Sequence, residues 1–192
     1  YPLAYVAAKL ALGQSLPVIR NSVTKTTTAC FEPSPDYCVV KFPRWDLSKF
    51  RRVSSGLGSA MKSVGEVMSI GRNFQEAMQK AIRMVAPGVH GFQPAKPGSN
   101  LFFDDDDAIT EELSNPTDLR VFALACAFAR GESVDSMFEK TKINPWFLCK
   151  LQEINQMREM LASYNLGSIS KELLRYAKQQ GFSDGQIAMA LE

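Results

Sequence analysis

The chain has few residues that could do chemistry, and they form no recognisable catalytic set. Its single histidine, His90, lies in a Pro- and Gly-rich stretch beside no acidic partner, so we expect a solvated loop residue and not a catalyst or ligand. The four aspartates at 104–107 lack the alternating oxygen donors and the final Glu of a calcium loop. Because adjacent like charges repel, we expect them to form a solvated linker.

Glycines and cysteines do not indicate a site either. Gly56, Gly58 and Gly65 are not followed by the Lys-Ser/Thr pair of a phosphate-binding loop, so no complete nucleotide site is expected. The cysteines are too scattered for paired metal ligands and include no C-x-x-C, which favours reduced, structural thiols in an intracellular protein. They are Cys30, Cys38, Cys126 and Cys149.

The bulk composition limits which classes of protein the chain can belong to. The 192 residues are 45% hydrophobic and 22% charged, enough for one full domain or two small ones. A net charge of +2 argues against a nucleic-acid or anionic-membrane partner. No apolar run approaches the roughly 20 residues of a membrane span. A helix-like pattern (Leu3, Val6, Leu10, Leu12) already runs at the start, without a Met, so we expect a piece of a longer protein.

The first half of the chain predicts strands, a loop and one helix. Residues 36–42 are rich in β-formers and stop at Pro43, and a second extended stretch covers 61–70. Between them, residues 46–60 are rich in Ser and Gly and predict a flexible loop, a place for function or disorder. Asn73 and Glu76 form a capping-box pattern at the start of a helix that runs to about Val85.

The second half predicts a Pro/Gly-rich linker over 86–107 and then only short amphipathic helices. Asn115-Pro116 and Asn144-Pro145 each place Pro at a first helical position. Ser133, Ser168 or Ser170, and Ser183 are the other expected starts. Trp146 and Phe147 open one helix, where they predict either an interface anchor or, as the favoured alternative, core packing.

Several separated blocks resemble one enzyme family in order and spacing. The most diagnostic run is MKSVGEVM at 61–68, which continues through Ile70-Gly71-Arg72. The others are YPLA at 1–4, FEPS at 31–34, KFPR at 41–44, INPWFL at 143–148 and GFSD at 181–184. Over nearly the whole chain they resemble the large subunit of carbamoyl phosphate synthetase, in its eukaryotic type found in the multifunctional pyrimidine-synthesis protein. Pro35 and Asn144 depart from the usual residues.

The resemblance implies an α+β part followed by an all-α part. Residues 1–86 would be the C-terminal portion of the first ATP-grasp domain, which forms carboxyphosphate, 87–107 a linker and 108–192 a helical oligomerisation domain. The family makes carbamoyl phosphate from bicarbonate, ammonia, commonly from glutamine, and two ATP. Its ATP and Mg (or Mn) ligands lie in an E-x-N-x-R stretch upstream of YPLA, so we expect this fragment alone to be inactive, with no complete catalytic set and no metal site.

The resemblance also implies site residues and partners. Met61 matches a family position near the intermediate tunnel, where an apolar, flexible side chain would suit a conduit. The alternative is that Met61, Lys62 and Glu66 merely pack and pair at a domain junction. Expected partners are a glutamine amidotransferase subunit or fused domain, the rest of the synthetase and further copies of the chain.

Two hypotheses about function stay open at this point. The first is a ligase fragment, serving pyrimidine synthesis in the cytoplasm or, alternatively, the arginine/urea pathway in mitochondria. The second, from another class, is a stand-alone helical interaction module, which would require residues 1–86 to close around a core of their own.

Overall fold

The structure, a computed structural model, describes residues 1–32, 34–49 and 52–191. The chain divides into two compact units, Tyr1–Asp36 and Tyr37–Glu192. Pro33 of the FEPS block lies outside the described residues.

The first unit is small. Helix α1 (Leu3–Ala11) confirms the helix-like pattern at the start of the chain, and a 3-10 turn follows at Leu16–Val18. An isolated bridge pairs Arg20 with Thr28. The buried apolar residues are Val6, Ile19 and Ala29.

The second unit opens with a two-stranded antiparallel sheet. Strands β1 (Cys38–Arg44) and β2 (Gly65–Gly71) pair from Cys38↔Gly71 to Arg44↔Gly65. Both expected strands are confirmed, but two boundaries were wrong. Pro43 lies inside β1, which tolerates it because a strand with one neighbour has a free edge. Residues 61–64 precede the second strand and do not belong to it.

Helix α2 (Phe74–Val85) follows the sheet as the sequence predicts. The Asn73 side chain accepts a hydrogen bond from the Glu76 backbone N–H, and the Glu76 carboxylate accepts one from the N–H of Arg72 at 2.7 Å. The helix covers the inner face of the sheet, where Ser69 Oγ donates to the Ala77 carbonyl at 2.6 Å. This packing fixes which face of the sheet is turned outward.

After an irregular segment that follows α2, the regular elements of the described chain are helices. They are α3 (Asp106–Ser114), α4 (Arg120–Ala129), α5 (Val134–Thr141), α6 (Pro145–Ala162), α7 (Lys171–Gln179) and α8 (Asp184–Leu191). Ser133, Asn144 and Ser170 accept capping hydrogen bonds at the starts of α5, α6 and α7, which confirms those expectations. The molecule is mostly helical, with a small two-stranded sheet.

One apolar core joins α2 to the later helices. It contains Ile82 of α2, Phe92 of the predicted linker, Leu113, Leu148 and Phe182, each at most 2% exposed. Phe92 lies in the segment predicted as a linker, 86–107, and packs in that core. Short helices gain their stability from such shared packing and not from intrinsic propensity.

Two helix starts differ from expectation. Helix α3 begins inside the aspartate run, where Asp105 accepts a hydrogen bond from the Ala108 N–H and Asp106 and Asp107 occupy the first turn. Carboxylates stabilise the positive end of the helix dipole there. Helix α4 starts at Arg120 and not at Pro116, because the Glu112 carboxylate accepts hydrogen bonds from Thr117 and fixes a turn between α3 and α4.

Candidate interaction surfaces

The outward face of the sheet is an apolar surface. Strand residues alternate between faces, and Val39, Met68 and Ile70 point away from α2 with 39%, 60% and 58% of their surface exposed. Val39 pairs with Ile70 across the strands. We call these three residues the outer sheet face. Contiguous exposed apolar side chains of this kind are typical of a surface that another protein segment covers.

A groove extends the outer sheet face along α2. It has a volume of about 490 Å³ and is lined by Met68, Ile70, Lys80, Arg83 and Met84. Lys80 is held beside it, because its ammonium pairs with the Glu76 carboxylate at 2.5 Å and donates to the Ile70 carbonyl at 3.0 Å. The groove is therefore apolar on its strand side and cationic on its helix side.

The three residues predicted for a tunnel or domain junction have different surroundings. Met61 is 89% exposed just before β2. Lys62 Nζ donates to the carbonyls of Ser54, at 2.9 Å, and Gly56. Glu66 pairs with Lys41 across the strands at 2.7 Å. The structure thus places all three at the surface without bringing them to one pocket, and their roles stay a prediction.

A second apolar surface forms where α2 and α6 begin side by side. The rings of Phe74, Trp146 and Phe147 lie with centroids 5.0–5.7 Å apart in tilted and edge-to-face arrangements. Lys150 Nζ lies 5.9 Å from the centre of the Trp146 ring. We call these three rings the aromatic cluster. Such geometries are favourable for aromatic pairs and for a cation over a ring.

Two of the three rings of the aromatic cluster are exposed, whereas Phe74 is partly buried against the core. Trp146 and Phe147 have 53% and 42% of their surface open, so the favoured alternative of core packing does not describe them. Phe147 also lines an apolar cavity of about 260 Å³, with Phe42, Met78, Val121 and Leu124 around it. Exposed aromatic anchors beside an apolar pocket are features of binding hot spots, although the interface role itself stays a prediction.

A buried polar network fastens α2 to α8. Gln79 and Gln186 are 0% and 1% exposed, and Gln186 Nε2 donates to Gln79 Oε1 at 2.8 Å. Gln79 Nε2 in turn donates to the Gln180 carbonyl at 2.8 Å. Arg83 Nη1 donates to the carbonyls of Gly181 and His90, and burial lowers the pKa of Arg83. The inner end of α2 is therefore fixed to the helical bundle.

His90 belongs to this network and is not a solvated loop residue. It is half-buried, its carbonyl accepts from Arg83 and Ser183, and its ring lies so close to Gly185 that an added Cβ would be 2.7 Å from Nδ1. The expectation failed because the contacts come from α2 and α8, which are distant in sequence.

The sequence did not predict three features of these surfaces: the outer sheet face, the place of Phe74 in the aromatic cluster, and the glutamine pair. The sequence did contain a signal for the outer sheet face. Glu66, Met68 and Ile70 occupy alternate positions and so share one face of the strand, and two of them are apolar where solvent would favour polar residues. The glutamines gave a weaker signal, because a polar residue on an apolar helix face is as often solvated as buried.

Ionisable groups show no metal-binding arrangement in the part of the chain that the structure describes. No group of three or more His, Cys, Asp or Glu side chains there could hold a metal ion. All four cysteines are unpaired, and burial raises the pKa of the Cys126 thiol. No helix among the described residues is long and apolar enough to cross a membrane.

Comparison with known proteins identifies the family. Residues 66–192, more than half of the chain, match the family described as the carbamoyl-phosphate synthetase large chain, oligomerisation domain. The chain belongs to this family.

Individual relatives match along the whole chain. It is 55% identical to the multifunctional protein pyr1-3 of Dictyostelium discoideum and to the mitochondrial arginine-specific carbamoyl phosphate synthase large chain of Neurospora crassa. It is 49% identical to the mitochondrial carbamoyl-phosphate synthase [ammonia] of Rattus norvegicus. All of this chain is covered in each case, but it spans only 8%, 16% and 13% of these three relatives.

Proposed function

We propose that the chain is the junction between the first ATP-grasp domain and the helical oligomerisation domain of a carbamoyl phosphate synthetase large chain. The supporting observation is 55% identity along the whole chain to a relative named as a carbamoyl phosphate synthase large chain. Residues 1–86 would be the C-terminal portion of the ATP-grasp domain, 87–107 a linker and 108–192 the oligomerisation domain. The burial of Phe92 among the later helices makes that linker a packed one.

In this proposal the whole protein is a ligase. It would use two ATP to make carbamoyl phosphate from bicarbonate and glutamine-derived ammonia, with Mg (or Mn) neutralising the phosphates during transfer. The residues that hold ATP and metal would lie upstream of this chain. Its own contribution would be structural, with the outer sheet face and the aromatic cluster packing against the rest of the synthetase and further copies. Covering Met61 in the same way would help keep water from labile intermediates.

The pathway and location belong to the proposal as well. We propose pyrimidine synthesis in the cytoplasm, with a glutamine amidotransferase as subunit or fused domain. The alternative is an arginine/urea-pathway enzyme in mitochondria. Identity does not separate the two, since the multifunctional relative and the arginine-specific one match equally well at 55%.

The stand-alone interaction module is the competing class of function. It requires residues 1–86 to form a closed domain, yet Ala81 and Ile82 of α2 are fully buried and Ile82 packs in the same core as the later helices. This observation favours the ligase fragment, because cutting the chain at 86 would expose those side chains to water.

The test is an activity assay on the full-length parent beside this 192-residue chain. We expect the parent to form carbamoyl phosphate when ATP, Mg²⁺, bicarbonate and glutamine are all present, and the chain alone to form none. Ammonia in place of glutamine distinguishes the nitrogen source. A parent that forms no carbamoyl phosphate, or a chain that forms it alone, would refute the proposal.

A further inference from the structure

The apolar cavity beside the aromatic cluster has no role in the proposed function. It has a volume of about 260 Å³, and hardly any polar atom faces it. Its wall combines Phe42 of β1 and Met78 of α2 with Val121 of α4 and Leu151 of α6. Protein interiors are close-packed and contain few voids larger than a water molecule. A molecule that fills this cavity therefore gains contacts that the chain does not make by itself.

The polar side chains that border the cavity do not make it a polar site. Thr117, Asp118 and Arg120 lie at its edge, yet their polar atoms contribute almost nothing to the wall. Arg120 Nη2 donates to the carbonyls of Leu113 and Thr141, and the Thr117 hydroxyl donates to a carboxylate of α3. An ordered buried water needs about two to four polar partners. The wall therefore favours an apolar molecule over water or an ion.

Aromatic side chains supply much of the wall. Phe42 and Trp45 meet edge to face with centroids 5.9 Å apart, and Phe74 and Phe147 lie 5.5 Å apart in a tilted arrangement. All four rings line the cavity. Aromatic rings prefer edge-to-face or offset partners at such distances. A flat aromatic ring bound in the cavity therefore has favourable partners that an aliphatic molecule of the same size would not use as well.

We propose that this cavity is a binding site for a small, uncharged aromatic molecule of one ring or two fused rings. An apolar cavity of roughly 150 Å³ engineered into another protein stays dry and binds benzene, and the present cavity is larger. The bound ring contacts side chains of β1, α2, α4 and α6 together, so it stabilises the packing of the sheet and α2 against the later helices. Binding needs only residues of this chain, so it can fail while the ligase proposal stands.

The experiment titrates toluene into the folded 192-residue chain, with its methionine methyl groups labelled with ¹³C and followed by NMR. Met78 lines the cavity, whereas Met160 is 49% exposed near the other end of α6 and is the internal control. Phenol is the matched control ligand, because it has the same size and carries a hydroxyl that finds no partner in this wall.

Two variants and the full-length parent complete the design. Val121→Phe fills the cavity, and Val23→Phe adds the same bulk at a 73% exposed position of the first unit. The same titration of the parent shows whether the cavity stays open to ligands when the rest of the protein is present.

We expect a saturable ring-current shift at Met78 and none at Met160, with a Kd for toluene of about 1 mM or below. Phenol should bind at least about tenfold more weakly, because its buried hydroxyl would lack a partner. Val121→Phe should weaken toluene binding at least about tenfold, and Val23→Phe should leave it unchanged. The comparison of the two ligands needs no variant, so it decides even if Val121→Phe does not fold.

Three results would overturn the proposal. One is a shift at Met160 as large as that at Met78, and another is equal affinity for toluene and phenol. The third is a folded parent whose Met78 signal does not respond to toluene, because a side chain from the rest of the protein would then fill the cavity.

Discussion

The two compact units differ greatly in how much apolar material they bury. In the first unit the buried core is Val6, Ile19 and Ala29, whereas Leu12, Val18 and Val23 are each at least 70% exposed. In the second unit the core runs from α2 to α8 and includes large side chains such as Phe182. Because burial of apolar area drives folding, the second unit should provide most of the chain's stability.

The largest expected effect tests that difference in the cores. Phe182→Ala should lower the free energy of unfolding by about 3–5 kcal/mol, because the ring is 1% exposed and its removal leaves a cavity. Val6→Ala in the first unit removes fewer atoms and should cost about 1–2 kcal/mol. Native-state amide exchange is the measurement, because it reports the free energy of unfolding of each unit separately. Leu166→Ala, at an 83% exposed side chain, is the control and should stay within about 0.5 kcal/mol.

The next effect compares two glycines of the second unit with the same φ angle. Gly181 and Gly131 both have φ of +87°. A Cβ at Gly181 would lie 2.7 Å from the Glu76 Cα, whereas one at Gly131 would meet nothing within 4 Å. Gly131→Ala should therefore cost only the backbone strain, about 1 kcal/mol, and Gly181→Ala about 2–4 kcal/mol. Equal thermal shifts would mean that α2 does not approach Gly181 so closely.

A smaller effect concerns the polar network that fastens α2 within the second unit. Gln79→Leu should cost about 1–3 kcal/mol, because it leaves the Gln180 carbonyl and the Gln186 amide buried without their partner. The double variant Gln79→Leu/Gln186→Leu should cost less than the sum of the two single changes. Urea denaturation of all four proteins gives the coupling energy, and strict additivity would argue against the hydrogen bond.

Ion pairs at the surface of the second unit should contribute least to its stability, and one of them makes that stability depend on pH. The Lys140 ammonium lies 2.6 Å from the Glu132 carboxylate. Its hydrogen bond, and to a lesser degree one from Ser136, holds the pKa of Glu132 below its ordinary value of 4.5. A lowered folded-state pKa stabilises the protein above the unfolded value, and that stability is lost as pH falls below about 4.5. Because the pair is partly exposed, it contributes at most about 1 kcal/mol to the free energy of unfolding. Glu132→Gln should be no less stable than its parent at pH 3 and less stable at pH 7.

The local part of the fold could be predicted from the sequence. Caps at Asn73, Ser133, Asn144 and Ser170 were recognisable because a helix start depends on a side chain bonding an N–H two or three residues away. The start of α3 was misread because like charges in a row suggest a solvated linker, whereas the same charges favour a helix N-terminus. Sequence proximity alone does not decide between these two effects.

Contacts between distant segments could not be predicted in this way. Phe92 sits among Pro and Gly without any periodicity, so nothing nearby in the sequence marks it as a core residue. The glutamine pair joins positions 107 residues apart. Met61, Lys62 and Glu66 were predicted as site residues from the family resemblance. A resemblance indicates positions in the sequence but not which residues surround them in the fold. The structure gives the three residues different surroundings.

The measurement that tests the central proposal most directly is thiol labelling on the outer sheet face. Met68→Cys is made in the 192-residue chain and in the full-length parent, and the maleimide reaction at residue 68 is followed by mass spectrometry. We expect a readily labelled thiol in the chain, where Met68 is 60% exposed, and labelling at least fiftyfold slower in the folded parent. Denaturing the parent should restore the rate. Equal rates in the chain and the folded parent would contradict the account, because the outer sheet face would then be free surface and not a contact with the rest of the synthetase.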